Sequence, residues 1–261
     1  MDLKDLFQQL SYGELSNLSM SFNGSGTLTD IAKPKIVGYA NEALVRLYSR
    51  FVLKENDVLV KMLPGVTYYH LLKQYAQQSY DPTDPDIVPY IMDLSREKFE
   101  EDVIRILSIY DSKNCKRPLN DDNAWNSIFT PQHQTIQNPL AYDGEVLSIH
   151  YQAKHKKLYW DGVITSPVAG TDGAGGNEQP VGTVPAETLA QQILLPDVLM
   201  EAFTAYIAHR VYSSMNNDEN NVKSQEHFIN YKNICDEVME NDLVSNSTAP
   251  SNIKFRTRGF P

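Results

Sequence analysis

The sequence predicts an α+β fold: a helical bundle built from N- and C-terminal helices, an inserted antiparallel β domain, and an extended C-terminal tail. Three observations predict it. Apolar residues recur at helical spacing in 34–52 and again through 195–243. Short stretches of strand-like pattern fill the interval between them. Beyond 243 the chain turns polar and closes on a basic-aromatic stretch. The corresponding segments are 1–54 for the N-terminal helices, 55–160 for the β domain, and 161–188 for a Gly/Pro-rich mobile loop. Residues 189–248 supply a helix pair that completes the bundle, and 249–261 an extended docking tail.

Within 1–22, Leu3, Leu6, Phe7 and Leu10 make one small apolar face and Tyr12, Leu15 and Leu18 another, which suits one or two short helices. Asn23-Gly24-Ser25-Gly26 then breaks the chain. Over 34–52, Ile36, Tyr39, Ala40, Ala43, Leu44, Leu47, Tyr48 and Phe51 share one broad face. Thr29 and Asp30 are the residue types that cap such a helix. In the C-terminal pair, Pro196 suits a first helical position and Asp197 complements the positive end of the helix dipole. Met200, Phe203, Ile207, Val211 and Met215 form a stripe that Leu199, Ala202 and Tyr206 widen. A stripe that wide predicts buried neighbours on more than one side. The second helix carries Phe228, Tyr231, Ile234, Cys235 and Val238 at matching steps.

Between these helices the period changes. Strands are expected over 57–63, 66–69, 87–92, 103–110, 128–129, 135–137 and 146–152, with 71–78 readable as a helix. Val146, Ser148, His150 and Gln152 alternate with Leu147, Ile149 and Tyr151, the pattern of a half-buried strand. Such spacing without long intervening helices points to an antiparallel sandwich or barrel-like domain. Prolines 82 and 85 make 81–86 a loop. Residues 161–188 are rich in glycine and proline and poor in large apolar groups, so they bury too little to offset the entropy of ordering.

The 261 residues carry 33 acidic and 23 basic side chains, a formal net charge of −10. That balance argues against a surface built to grip nucleic-acid phosphates, which needs clustered Lys and Arg. Cys115 and Cys235 lie far apart with no CxxC or Cys–His spacing, as expected of unlinked reduced thiols. Met1-Asp2-Leu3-Lys4-Asp5 has neither the positive nor the apolar region of a secretory leader. No window approaches the about 18 apolar residues of a membrane span, so no membrane association is expected.

Catalytic signatures are absent from the sequence. His70, His133, His150, His155, His209 and His227 show no HExxH or His-x-His spacing, so no metal is expected. Glu100-Glu101-Asp102 and Asp121-Asp122 are adjacent acids, whereas glycosidase carboxylates face each other about 5–10 Å apart. The glycines of 170–176 lack the Lys-Ser/Thr of a phosphate loop, and there is no Gly-x-Ser-x-Gly elbow. No cofactor is expected. Lys154-His155-Lys156-Lys157 suits a charged edge or turn that discourages aggregation. In the tail, Lys254, Phe255, Arg256, Arg258 and Phe260 are side-chain types enriched at interface anchors.

Four stretches carry a family resemblance. They are Asn41-Glu42-Ala43-Leu44-Val45-Arg46-Leu47-Tyr48; Phe99-Glu100-Glu101-Asp102-Val103-Ile104-Arg105-Ile106; Leu195-Pro196-Asp197 leading to Tyr206-Ile207-Ala208-His209-Arg210-Val211-Tyr212; and Phe255-Arg256-Thr257-Arg258-Gly259-Phe260. In their order and helix–β–helix layout they resemble the head-to-tail adaptor (connector) proteins of tailed bacteriophages, short-tailed ones in particular. The glycine-rich stretch 170–182 has no match in that family. The resemblance implies a non-enzymatic virion component at the capsid vertex, assembled in the host cytoplasm. It implies a ring of identical subunits, usually a dodecamer, bound to the portal protein and to tail or nozzle proteins. Viral DNA would pass through its channel without sequence-specific binding, which the net acidity suits. It also places Lys254, Phe255, Arg256, Arg258 and Phe260 in contact with the portal. The rival expectations are a carbohydrate-binding or carbohydrate-cleaving β domain, with Tyr142, Tyr159 and Trp160 as sugar platforms, and another tail or baseplate subunit of the same virus.

Overall fold

The computed structural model describes residues 1–16, 28–29, 32–84, 87–93, 98–140, 142–161, 186–215 and 217–244. These residues form an α+β protein with antiparallel sheets. The helices are α1 (Leu3–Tyr12), α2 (Lys33–Arg50), α3 (Ala186–Leu189), α4 (Met200–Ser213) and α5 (Asp218–Glu240). The strands are β1 (Glu55–Lys61), β2 (Tyr68–His70), β3 (Ile91–Met92), β4 (Val103–Tyr110), β5 (Lys116–Arg117), β6 (Phe129–Gln132), β7 (Thr135–Gln137) and β8 (Val146–Ala153). The chain divides into two compact units, one taking 1–47 with 157–261 and the other taking 48–156.

In the helical unit, α1 starts on a capping box. Asp5 N–H donates to Asp2 Oδ1 at 2.8 Å and Asp2 N–H donates back to Asp5 Oδ2 at 3.3 Å, satisfying two orphan donors. Leu3, Leu6, Phe7 and Leu10 face inward, as do Ile36, Ala40, Ala43, Leu44 and Leu47 of α2. Residues 197–199 make one 3-10 turn, so the α-helix opens at Met200, after the proline and aspartate that start the segment. From Ala202 to Ala208 every α4 side chain is buried, and Val211 and Tyr212 follow. The expected stripe is therefore a nearly complete cylinder, and α4 is the central helix of its unit. Helix α5 fully buries Ser224, Tyr231, Cys235 and Val238, with His227, Phe228 and Ile234 half-buried beside them.

The other unit holds a five-stranded sheet, β3-β1-β8-β4-β5, and a three-stranded sheet, β2-β7-β6, every ladder antiparallel. Val58, Val60, Leu147, Ile149, Val103 and Ile109 of the larger sheet share one apolar cluster with Tyr69 and Ile136 of the smaller. The edge strands β3 and β5 are two residues each.

Five local expectations change. Residues 73–75 form a single 3-10 turn in place of a helix over 71–78. Strand β3 shrinks to Ile91–Met92. Strand β5 was not expected, because Lys116 and Arg117 carry no apolar alternation. Gln152 belongs to the polar set of the period-two pattern but is fully buried. Its amide Nε2 donates to the carbonyls of Tyr48 and of Phe51, the latter at 3.0 Å. One side chain thus satisfies two carbonyls at the end of α2. A four-residue helix, α3, stands at the end of the segment read as a loop, whose positions 162–185 lie outside the described residues.

Candidate assembly surface

Interfaces are made by what a unit leaves uncovered, so the interior of the helical unit defines the surface. His209 of α4 and Ser224 of α5 bond to each other, with Nδ1 2.9 Å from Ser224 Oγ and 3.0 Å from the Ser224 carbonyl. Ser224 Oγ donates to the His209 carbonyl at 3.1 Å. Burial lowers the His209 pKa, and the charges of Arg210, Arg46 and His227 lower it further against the Ser224 hydrogen bond. His209 is thus a neutral packing residue. Arg210 Nε lies 2.8 Å from Glu42 Oε2, and its guanidinium covers the Tyr39 ring at 5.4 Å. His227 stacks on Tyr212 at 5.3 Å and pairs with Glu14 Oε2 at 3.2 Å, while Tyr212 OH donates to the Glu14 carbonyl. These contacts tie the chain after α1 to α4 and α5.

Two amide side chains clamp the extended backbone at 158–159. Asn41 Nδ2 donates to the Leu158 carbonyl and Leu158 N–H donates to Asn41 Oδ1, both at 2.9 Å. Gln191 does the same for Tyr159, accepting at 2.9 Å and donating at 2.7 Å. Each amide acts as a strand partner to a segment that has no strand beside it. Sequence reasoning missed both, since an isolated Asn or Gln announces no such role; Asn41 lies within one of the resemblance stretches.

Along α5, Val222, Ile229 and Met239 are each more than half accessible, as is Leu243 just past its end. Single exposed apolar residues are ordinary, but Val222 and Ile229, seven residues apart, share one face of the helix that a neighbour can cover. The helix ends in a Schellman motif: Leu243 N–H donates to the Val238 carbonyl at 3.1 Å and Asp242 N–H to the Met239 carbonyl at 3.3 Å. Asp242 takes the left-handed position at φ +52°, where Gly or Asn is usual. The tail residues Lys254, Phe255, Arg256, Arg258 and Phe260 lie outside the described residues.

On the β unit the acidic runs hold loops. Asp102 accepts from Tyr151 OH at 2.9 Å, Asn56 Nδ2 at 3.2 Å and Lys54 Nζ at 3.4 Å. Glu100 pairs with Lys73 Nζ at 3.2 Å, and Glu101 accepts from Lys73 N–H at 3.0 Å. A shallow depression of about 190 Å³ lies among Lys54, Asn56, Lys98, Glu100 and Asp102. Asp121 closes an Asx turn on Asn123 N–H at 3.0 Å. His150 lies between Asp57 (Nδ1, 2.7 Å) and Glu55 (Nε2, 2.8 Å). Burial lowers its pKa, but the hydrogen bonds and charges of Asp57 and Glu55 outweigh burial and the net shift is upward.

The remaining residues singled out by the sequence are dispersed. His70 bonds Thr135 Oγ1 at 3.0 Å and His155 packs edge-on against Tyr48. The run 154–157 lies past the end of β8, a strand flanked on both sides. Tyr142 belongs to the β unit, whereas Tyr159 and Trp160 belong to the helical unit, where the Trp160 ring meets the edge of Phe7 at 5.7 Å and Lys33 Nζ at 5.6 Å. Cys115 is exposed, Cys235 is buried, and both are free thiols. Among the described residues no group of three or more His, Cys, Asp or Glu is placed to hold a metal ion, and no helix is long and apolar enough to cross a membrane. No known protein family matches the chain, and no curated protein does.

Proposed function

We propose that the protein is a non-enzymatic virion subunit, a head-to-tail adaptor that forms a ring between portal and tail and continues the DNA channel. In this reading the helices of 1–47 and of the C-terminal half form the bundle that is the ring body, and the β domain is inserted into it. The observation that carries the reading is the division of labour between α4 and α5. Helix α4 is used up by packing within its own subunit, while α5 runs beside it with Val222 and Ile229 left outward on one face. That is the layout of an element whose second face belongs to a neighbour. The carboxylates and histidines, engaged in loop anchors and packing, support a structural role.

The experiment is electron microscopy and native mass measurement of the pure protein, alone and mixed with portal rings. A subunit that assembles on the portal into a ring, about twelve copies by the resemblance, is the expected result. A monomer that ignores portal rings overturns the adaptor reading. Binding to tail or baseplate components without portal binding would favour the other virion role. Truncation after Ser251 tests the tail, and unchanged portal docking would remove Lys254, Phe255, Arg256, Arg258 and Phe260 from the contact.

A further inference from the structure

Two helices of the helical unit turn faces of opposite charge to solvent. Successive helical residues advance by about 100°, which puts Lys35, Glu42, Val45 and Arg46 of α2 within about a third of its circumference. All four are exposed. Glu42 is balanced by Arg210, whose Nε lies 2.8 Å from its carboxylate, so Lys35 and Arg46 set the charge of that face. By the same advance Asp218, Val222, Glu226, Ile229, Lys232 and Asp236 of α5 share one exposed face. Its three carboxylates outnumber its one ammonium, and Val222 and Ile229, 58% and 57% exposed, lie along its middle.

The two faces belong to one unit and look in different directions. Arg210 of α4 meets Tyr39 and Glu42 of α2, whereas the preceding residue, His209, meets Ser224 of α5. Helices α2 and α5 therefore pack on different sides of α4, and their solvent faces cannot meet within one chain. Every copy thus carries both halves of a charge-complementary pair that only another copy can complete. Pairing α5 with α5 would oppose carboxylate to carboxylate, and α2 with α2 cation to cation.

The spacings agree. With Val45 seated between Val222 and Ile229, Arg46 comes beside Glu226. Lys35 stands eleven residues from Arg46 and Asp236 ten from Glu226, about 16.5 and 15 Å along their helices. Run antiparallel, the two faces join Val45 to an apolar pair and both bases to acids.

We propose that this face of α5 packs against the α2 face of a second copy, with Val45 between Val222 and Ile229, Arg46 on Glu226 and Lys35 on Asp236. The proposal rests on the reading that the second face of α5 belongs to a neighbouring subunit. It makes the contact head-to-tail: each copy gives α5 to one neighbour and α2 to the other, the arrangement that can close a ring.

The test mixes two full-length proteins without portal, one carrying Val45→Cys and the other Ile229→Cys, both with Cys115→Ser. Cys235 stays, because it is fully buried. Positions 45 and 229 are both more than half exposed, so folding is preserved, and circular dichroism checks it. After mild oxidation, mass spectrometry should find the 45–229 link between chains about tenfold above either like-with-like link. Arg46→Glu in the first protein should cut that excess about fivefold, the worth of an exposed ion pair, and Glu226→Arg in the second should restore it. The ratio expected of random collision, or a majority of 45–45 or 229–229 links, overturns the proposal while leaving a ring to be built through other contacts. Failure of portal binding leaves the 45–229 link unaffected, so the two readings fail separately.

Discussion

His209 and Ser224 are bonded in both directions between α4 and α5. Ser224→Ala leaves the imidazole with fewer partners in a half-buried site and should cost about 1–2 kcal/mol. Urea unfolding at pH 7.5, followed by helical circular dichroism, measures it. The same contact has a pH dependence of known sign. Because the folded His209 pKa lies below its ordinary value, the native state favours the neutral ring. Its stabilisation is complete above about pH 6.5 and is lost as pH falls from there through the lower folded value. In His209→Gln that acid-side loss should disappear.

The β unit should respond in the opposite direction. His150 binds its proton more tightly when folded, so its contribution is fully present below about pH 6.5 and is lost as pH rises through the raised folded value. Imidazole titration by NMR should place His150 above 6.5 and His209 below it. The reverse order would refute the Asp57–His150–Glu55 arrangement.

Asn41→Ala removes both bonds to Leu158 and leaves a backbone amide and carbonyl to find other partners. A loss of about 1–3 kcal/mol is expected, read from the thermal unfolding midpoint. Asn41→Asp keeps the acceptor only, and should retain the slow exchange of the Leu158 amide while still destabilising.

Asp242→Gly should stabilise the protein by about 0.5–1 kcal/mol, because glycine accepts φ +52° without a Cβ penalty and removes a negative charge from the negative end of α5. Asp242→Ala removes the charge but keeps the strained backbone, so it should gain less or lose stability. Denaturant midpoints of the two variants separate conformation from charge.

The long periodic elements were legible in the sequence because their periodicity is the imprint of their burial. Helix α2 and strands β4 and β8 fall within about two residues of expectation for that reason. The misses have equally physical causes. Gln152 looked outward because alternation knows only neighbours along the strand, whereas its burial is dictated by carbonyls of Tyr48 and Phe51, far away in sequence. Strand β5 exists because Lys116 and Arg117 pair with Tyr110 and Ile109, a relationship of backbone register that side-chain polarity does not encode. On the surface, the exposed apolar set of α5 could not be read from the sequence. Val222 and Ile229 fall outside the stripe of Phe228, Tyr231, Ile234, Cys235 and Val238 that packs on α4, but sequence alone does not say whether another element covers that second face.

The brevity of β3 and β5 leaves most of each margin of the large sheet without a strand partner. β5 meets β4 only at Ile109 and Tyr110, and β3 meets β1 only at Leu59 and Val60, so along Val103–Ser108 no further described strand continues the ladder. That stretch of β4 is where a strand supplied from outside could extend the sheet, and a charge or proline placed there would guard it.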